Sequence, residues 1–172
     1  MRPSEFAFGK KVQAAGRVTR LPIRFRAVAS FSYERQVSAP VETVFDVLTD
    51  HRRYAEITPL RKSVLEREGE PAPNGVGAIR VLTAVGPPLR EETIAYEAPT
   101  RFSYKLLSGA PLRDHVGTVE LTPQDGGTRF VYAVRTMPTL PLVGGIAVAV
   151  AKLGVKQLFD GIAKESERRA AS

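Results

Sequence analysis

At 172 residues the chain is long enough for one domain with a self-sufficient core. It has no cysteine, which excludes a disulfide framework, a thiol nucleophile and a cysteine-type zinc site. The net charge of +7 sits at one end: Arg2, Lys10, Lys11, Arg17, Arg20, Arg24 and Arg26 stand against Glu5 alone, so residues 1–29 hold +6 of it and the remainder is nearly neutral.

Residues 1–29 therefore read as a basic, flexible extension, and residues 30–172 as the folded domain. The extension suggests weak contact with an anionic membrane, at about 1 kcal/mol per basic residue near such a surface. Phe6, Phe8 and Phe25 are too sparse to stack on single strands, so no specific nucleic acid is expected. The extension has no apolar core of the secretory kind, and the apolar run 142–151 is broken by Lys152 before it could span a bilayer. A cytoplasmic location is the expectation, with the chain a monomer or homodimer.

In chain order, Phe31 to Ser38 alternates about Tyr33, Arg35 and Val37 and predicts a first strand. Pro40 then suits a helix start, Glu42 suits the positive end of its dipole, and Val41, Val44, Phe45 and Leu48 fall on one face. His51 to Ile57 predicts a second short helical turn, stopped by Pro59, with His51 beside Arg52 and Arg53 on a solvated surface. Six strands follow at Lys62–Glu68, Val76–Val85, Leu89–Glu97, Arg101–Leu107, Arg113–Thr122 and Thr128–Met137. The turns between them (Gly86-Pro87, Ala98-Pro99, Gly109-Ala110-Pro111, Asp125-Gly126-Gly127) are short, which implies antiparallel neighbours.

A long helix over about 142–169 closes the chain. Lys152, Lys156, Asp160 and Lys164 step along its polar face, Asp160 placed to pair with Lys164. Val148, Ala151, Val155, Leu158, Phe159 and Ile162 line the other face. Its start is rich in small residues (Gly144, Gly145, Ala147, Ala149) and reads either as a gate or as a plain packed terminus.

Because strand side chains alternate faces, inward positions can be assigned. Phe130, Tyr132, Val134 and Thr136 share one face of the last strand, opposite Arg129 and Arg135. Val119 and Leu121 carry Gly117 and His115 with them, and Phe102, Tyr104 and Leu106 share the inner face of the strand before. Arg80 alternates with Ala78 and Leu82, and Glu92 with Ile94 and Tyr96. If both point inward, Arg80 and Glu92 form a pair, either inside an apolar pocket with Tyr104, His115 and Tyr132 or at its rim.

The order strand, two short helices, six strands, long helix resembles the helix-grip fold. Residues 37–50, VSAPVETVFDVLTD, closely resemble the opening signature of the polyketide cyclase/dehydrase and lipid-transport family, part of the START-like (SRPBCC) superfamily. GVGAIR at 75–80, EETI at 91–94, APTRFSY at 98–104 and GGTRF at 126–130 are similar to its later strands. The resemblance implies an α+β fold: a seven-stranded curved antiparallel sheet wrapped on a long C-terminal helix. This chain departs from the family in having no tryptophan, with Tyr54 or Ile57 and Tyr132 in its place, and in lacking the His/carboxylate sets of metal-binding members.

These readings predict an internal cavity holding a hydrophobic small molecule such as a lipid, polyketide or isoprenoid-like compound, without metal or cofactor. Its expected wall is Phe45, Leu82, Phe102, Tyr104, Val119, Phe130, Tyr132, Ile146 and Val150, with Arg80, Glu92 and His115 as polar groups. The loops at Gly86-Pro87-Pro88 and Gly109-Ala110-Pro111 would govern access. The rival reading is an aromatase/cyclase or dehydratase in which Arg80, Glu92, His115 or Tyr104 moves protons. A third is a protein-interaction module that holds no ligand.

Overall fold

A computed structural model describes residues 28–140 and 143–172. The basic extension lies outside the described residues except for Val28 and Ala29, and with it the membrane contact expected of it. Strand β1 (Ala29–Val37) leads into helix α1 (Val41–Thr49), a 3-10 turn at His51–Arg53 and the short helix α2 (Tyr54–Ile57). Six strands follow: β2 (Lys62–Arg67), β3 (Ile79–Thr83), β4 (Leu89–Glu97), β5 (Arg101–Ser108), β6 (Leu112–Gln124) and β7 (Gly127–Pro138). Helix α3 (Gly144–Ala170) completes the chain. The seven strands form one antiparallel sheet in the order β1-β7-β6-β5-β4-β3-β2, the α+β helix-grip arrangement. Among the described residues, no helix is long and apolar enough to cross a membrane.

The third strand is shorter than the sequence suggests. Val76 leaves the ladder to make an isolated bridge with Glu70, and Gly77 takes a positive φ of 85°. The sheet bends through irregularities that leave Glu66 of β2, Ile94 of β4, Leu107 of β5 and Asp114 and His115 of β6 out of the ladder register. Its concave face receives α1 and the C-terminal half of α3.

That half of α3 is firmly seated. Val155, Leu158, Phe159, Ile162 and Ala163 are buried, and Phe159 stacks on Phe130 of β7 with ring centroids 4.4 Å apart. A Cβ at Gly161 would run into the Ile57 carbonyl, so glycine is what lets α3 pass this close to α2. The N-terminal half is different: Ile146, Val150 and Leu153 are 67%, 65% and 60% exposed. Along the polar face Asp160 pairs backwards with Lys156, one turn before it (Nζ to Oδ1, 2.6 Å), where the sequence suggests a pair with Lys164.

The two halves should answer differently to truncation. Ile162→Ala is expected to cost about 2–4 kcal/mol by urea denaturation, while Leu153→Ala stays within about 0.5 kcal/mol.

Candidate functional site

Between the exposed half of α3 and the β3–β6 end of the sheet lies a cavity of about 420 Å³. Its wall is mainly aliphatic: Leu60, Leu82, Leu89, Leu106, Val155 and Leu158 among others. The mouth is edged by Val85 and Pro87 of the β3–β4 loop, by Gly109, Ala110 and Pro111 of the β5–β6 loop, and by Ile146 and Val150 of α3. Both loops expected to govern access are thus at the mouth. Arg80, Glu91, Tyr104, His115 and Tyr132 form a polar end.

Strand pairing builds that end. Arg80 of β3 and Glu91 of β4 are direct cross-strand partners, and Arg80 Nε donates to Glu91 Oε2 at 2.8 Å. Their side chains are only 3% and 6% exposed. Arg80 Nη1 lies 2.6 Å from His51 Nε2. A guanidinium can only donate, so His51 accepts there and carries its own proton on Nδ1. Among the described residues Nδ1 makes no hydrogen bond, and the polar side chain acting on the ring is that of Asn74, whose Oδ1 is also unpartnered there.

Aromatic faces complete the enclosure. The Arg80 guanidinium carbon stands 4.5 Å from the Tyr104 ring centroid, 5.4 Å from Phe102 and 5.6 Å from Tyr54. Tyr54 donates its hydroxyl to the Leu48 carbonyl, tying α2 back to α1. The Tyr104 ring lies over Gly117, where any Cβ would collide with it. Tyr132 and Tyr104 share one hydrogen bond, hydroxyl to hydroxyl at 2.9 Å, so one of their two protons has no acceptor among the described residues. His115 is 6% exposed, stands 6.1 Å centroid to centroid from Tyr104, and its Nδ1 has no partner among the described residues.

The environment sets the protonation states. Burial pulls the His51 pKa well below its ordinary value, and the Arg80 charge pushes the same way. Burial likewise lowers His115, against an opposing pull from Glu91. Burial drives Tyr54 up to about 12 and also raises Tyr104 and Tyr132. For Arg80, burial is the largest influence and would favour the neutral form, but the Glu91 carboxylate together with Tyr54, Tyr132 and Tyr104 outweighs it and the pKa rises. The site is therefore one cation and one anion among neutral imidazoles and neutral phenols.

The sequence reading needs correction at several residues. Arg80 pairs with Glu91, not Glu92; Glu92 points outward and binds Lys105 (2.8 Å) and Arg67 (3.2 Å). The cause is a bulge at Ile94: Thr93 pairs with Tyr104 and Ala95 with Ser103, so facing inferred backwards from Tyr96 is inverted before the bulge. His51 is fully buried and not solvated. It continues the Val44, Leu48 face by another three residues, a periodic signal that the flanking Arg52 and Arg53 obscure. Phe45, Phe102, Val119 and Phe130 lie in solid core behind the cavity, whereas Arg80, Leu82, Tyr104, His115, Tyr132, Ile146 and Val150 line it.

Two outcomes follow from this network. Arg80→Met alone strands a buried carboxylate and should cost about 3–5 kcal/mol; adding Glu91→Leu should recover most of that loss in the same denaturation assay. The second concerns pH. A histidine whose folded pKa is depressed contributes stability that is complete above its unfolded value and is lost as pH falls. Stability should thus decline from about pH 6.5 downward, by at most about 1.4 kcal/mol per pH unit for each imidazole. The decline should be shallower in His51→Gln. Carboxylates such as Glu165, held down to about 2 by hydrogen bonds from Arg168 and Arg169, act at lower pH and do not blur this window.

The comparisons bear on this geometry. The family described as polyketide cyclase/dehydrase and lipid transport matches residues 28–169. No curated protein matches the chain. Among solved structures, the Zhui aromatase/cyclase from Streptomyces sp. R1128 is similar at 19% identity and TM-score 0.68, over 83% of this chain and 96% of that one. A START superfamily protein from Mycobacterium smegmatis is similar at 14% identity and TM-score 0.66, over 82% and 97%. A point mutant of norcoclaurine synthase from Thalictrum is similar at 14% identity and TM-score 0.67, over 83% and 96%. At such identities these likenesses speak for the fold alone. With the family pattern running from β1 through α3, the chain belongs to the polyketide cyclase/dehydrase and lipid transport family.

Proposed function

We propose that the chain binds a hydrophobic small molecule in the cavity between α3 and the β3–β6 end of the sheet. One observation carries this reading: about 420 Å³ of space, walled by aliphatic side chains and open between two loops and a helix start. That volume falls within the ordinary range for small-molecule pockets. It also weighs against a role as an interaction module without ligand. Burial of apolar ligand surface at about 25 cal/mol per Å² supplies the drive, before ordering costs. The family's description, which includes lipid transport, agrees with this reading.

A second reading is favoured by a specific feature. Tyr104, His115 and Arg80 converge on one end of the cavity, and two groups there, a phenol proton and an imidazole nitrogen, have no partner among the described residues. Neutral His115 is suited to accept a proton and Tyr104 to donate one, which is what a cyclisation or dehydration of a bound polyketide would need. The similar Zhui protein is an aromatase/cyclase. Product formation from a polyketide analogue, abolished in His115→Gln and Tyr104→Phe while binding persists, would decide for turnover.

Binding itself is tested by native mass spectrometry of freshly purified protein and by uptake of a neutral fluorescent apolar probe. Ala151→Phe projects a ring into the cavity from a half-buried position and should reduce probe affinity at least tenfold with little change in melting temperature. Equal affinity in wild type and variant would place the probe elsewhere.

A further inference from the structure

We infer that the cavity selects an uncharged ligand whose head carries a hydroxyl or carbonyl oxygen, and discriminates against a carboxylate, phosphate or ammonium head. This rests on the reading of the cavity as a ligand site and goes on to specify what its polar end accepts. Among the residues lining the cavity, Arg80 and Glu91 are the two that bear formal charge, one of each sign. They are spent on each other across β3 and β4 at 2.8 Å, and both are almost wholly buried. An arginine in an apolar pocket is ordinarily an anion receptor; here its counter-ion is built in.

What remains is hydrogen-bonding capacity without net charge. Arg80 Nη2 takes no partner among the described residues, and one hydroxyl proton of the Tyr104–Tyr132 pair is unclaimed, which leaves two donors. Glu91 accepts from Arg80 through Oε2 alone, which leaves an acceptor, and neutral His115, which makes no hydrogen bond among the described residues, adds one accepting nitrogen and one N–H. A hydroxyl head satisfies both kinds, and a carbonyl satisfies the donors. A carboxylate head would bring a second negative charge beside Glu91 with no second cation to meet it, and buried unpaired charge is what such an interior resists. An ammonium head meets the same objection beside Arg80.

The test is displacement of N-phenylnaphthylamine, a neutral probe, by decanol and by decanoate at about pH 8, where the fatty acid is ionised in water. Wild-type protein should prefer decanol at least tenfold. Glu91→Gln frees the Arg80 charge while keeping the side chain's size, and should shift the ratio at least tenfold toward decanoate. That second shift cannot arise from decanol being the greasier compound. Equal or tighter binding of decanoate by the wild type overturns the inference, as does an unchanged ratio in a folded Glu91→Gln protein. Should the variant not fold, the wild-type ratio is set against the partition ratio of the same two compounds between octanol and water at the same pH: a preference at least tenfold beyond it supports the inference, and one no greater overturns it. Failure of the wild type to take up the probe or either decyl compound would instead remove the cavity-binding reading, and this inference with it.

Discussion

A guanidinium with 3% of its side chain exposed persists only where its charge is met inside the protein. Around Arg80 that requirement organises most of one end of the fold. Glu91 must sit directly across the ladder, so β3 and β4 are held in one register there. His51 must present an unprotonated nitrogen, so the turn after α1 is drawn down onto the sheet. Tyr104 must lie flat against the guanidinium, and Gly117 is the residue that leaves room for its ring. The ion pair is weak evidence of stability for its own sake, since an apolar pair of the same shape would serve as well or better. Its presence is better understood through what it presents to the cavity.

The cavity exists because α3 is used unevenly. Its C-terminal half is anchored by Phe159 and Ile162 on the sheet and by close passage past α2 at Gly161. Its N-terminal half is amphipathic in a weaker sense: apolar residues face both the cavity and the outside, and small residues keep it thin. Filling the same volume with larger side chains would satisfy the packing rule that governs the other half. A helix packed solid at one end and left over a hollow at the other is firm enough to hold a lining in place.

Much of this was legible from residue order. The strand and helix sequence, the short turns and the opening signature at 37–50 point to the helix grip, and the facing of β3, β5, β6 and β7 follows from simple alternation. Alternation failed in β4 because it assumes an unbroken period, and one unpaired residue at Ile94 exchanges the two faces on either side of it. Glu91 and Glu92 are adjacent and chemically alike, so nothing in their identity signals which is buried. His51 was misplaced for a different reason: its charged neighbours suggest solvent, whereas its helical phase with Val44 and Leu48 places it in the core. The wall was also drawn too deep. Phe102 and Phe130 face inward as alternation demands, but inward positions divide between solid core and hollow according to where α3 is seated, a long-range matter that no local pattern encodes.

Carrier and catalyst are separated in this site by proton inventory more than by shape. Catalysis of a cyclisation or dehydration needs a group that takes a proton and one that returns it, at pKa values not far from working pH. Burial has moved the phenols up and the imidazoles down, so donor and acceptor are well defined but far apart in strength. Such a pair holds a hydroxyl firmly in the ground state and transfers its proton reluctantly. Only a ligand whose own carbon acid or leaving group bridges that gap could be turned over. Glu91 is the one feature that works the other way, since its charge acts to raise the His115 pKa toward the useful range. The same carboxylate that neutralises Arg80 thus also keeps His115 nearer to being a base.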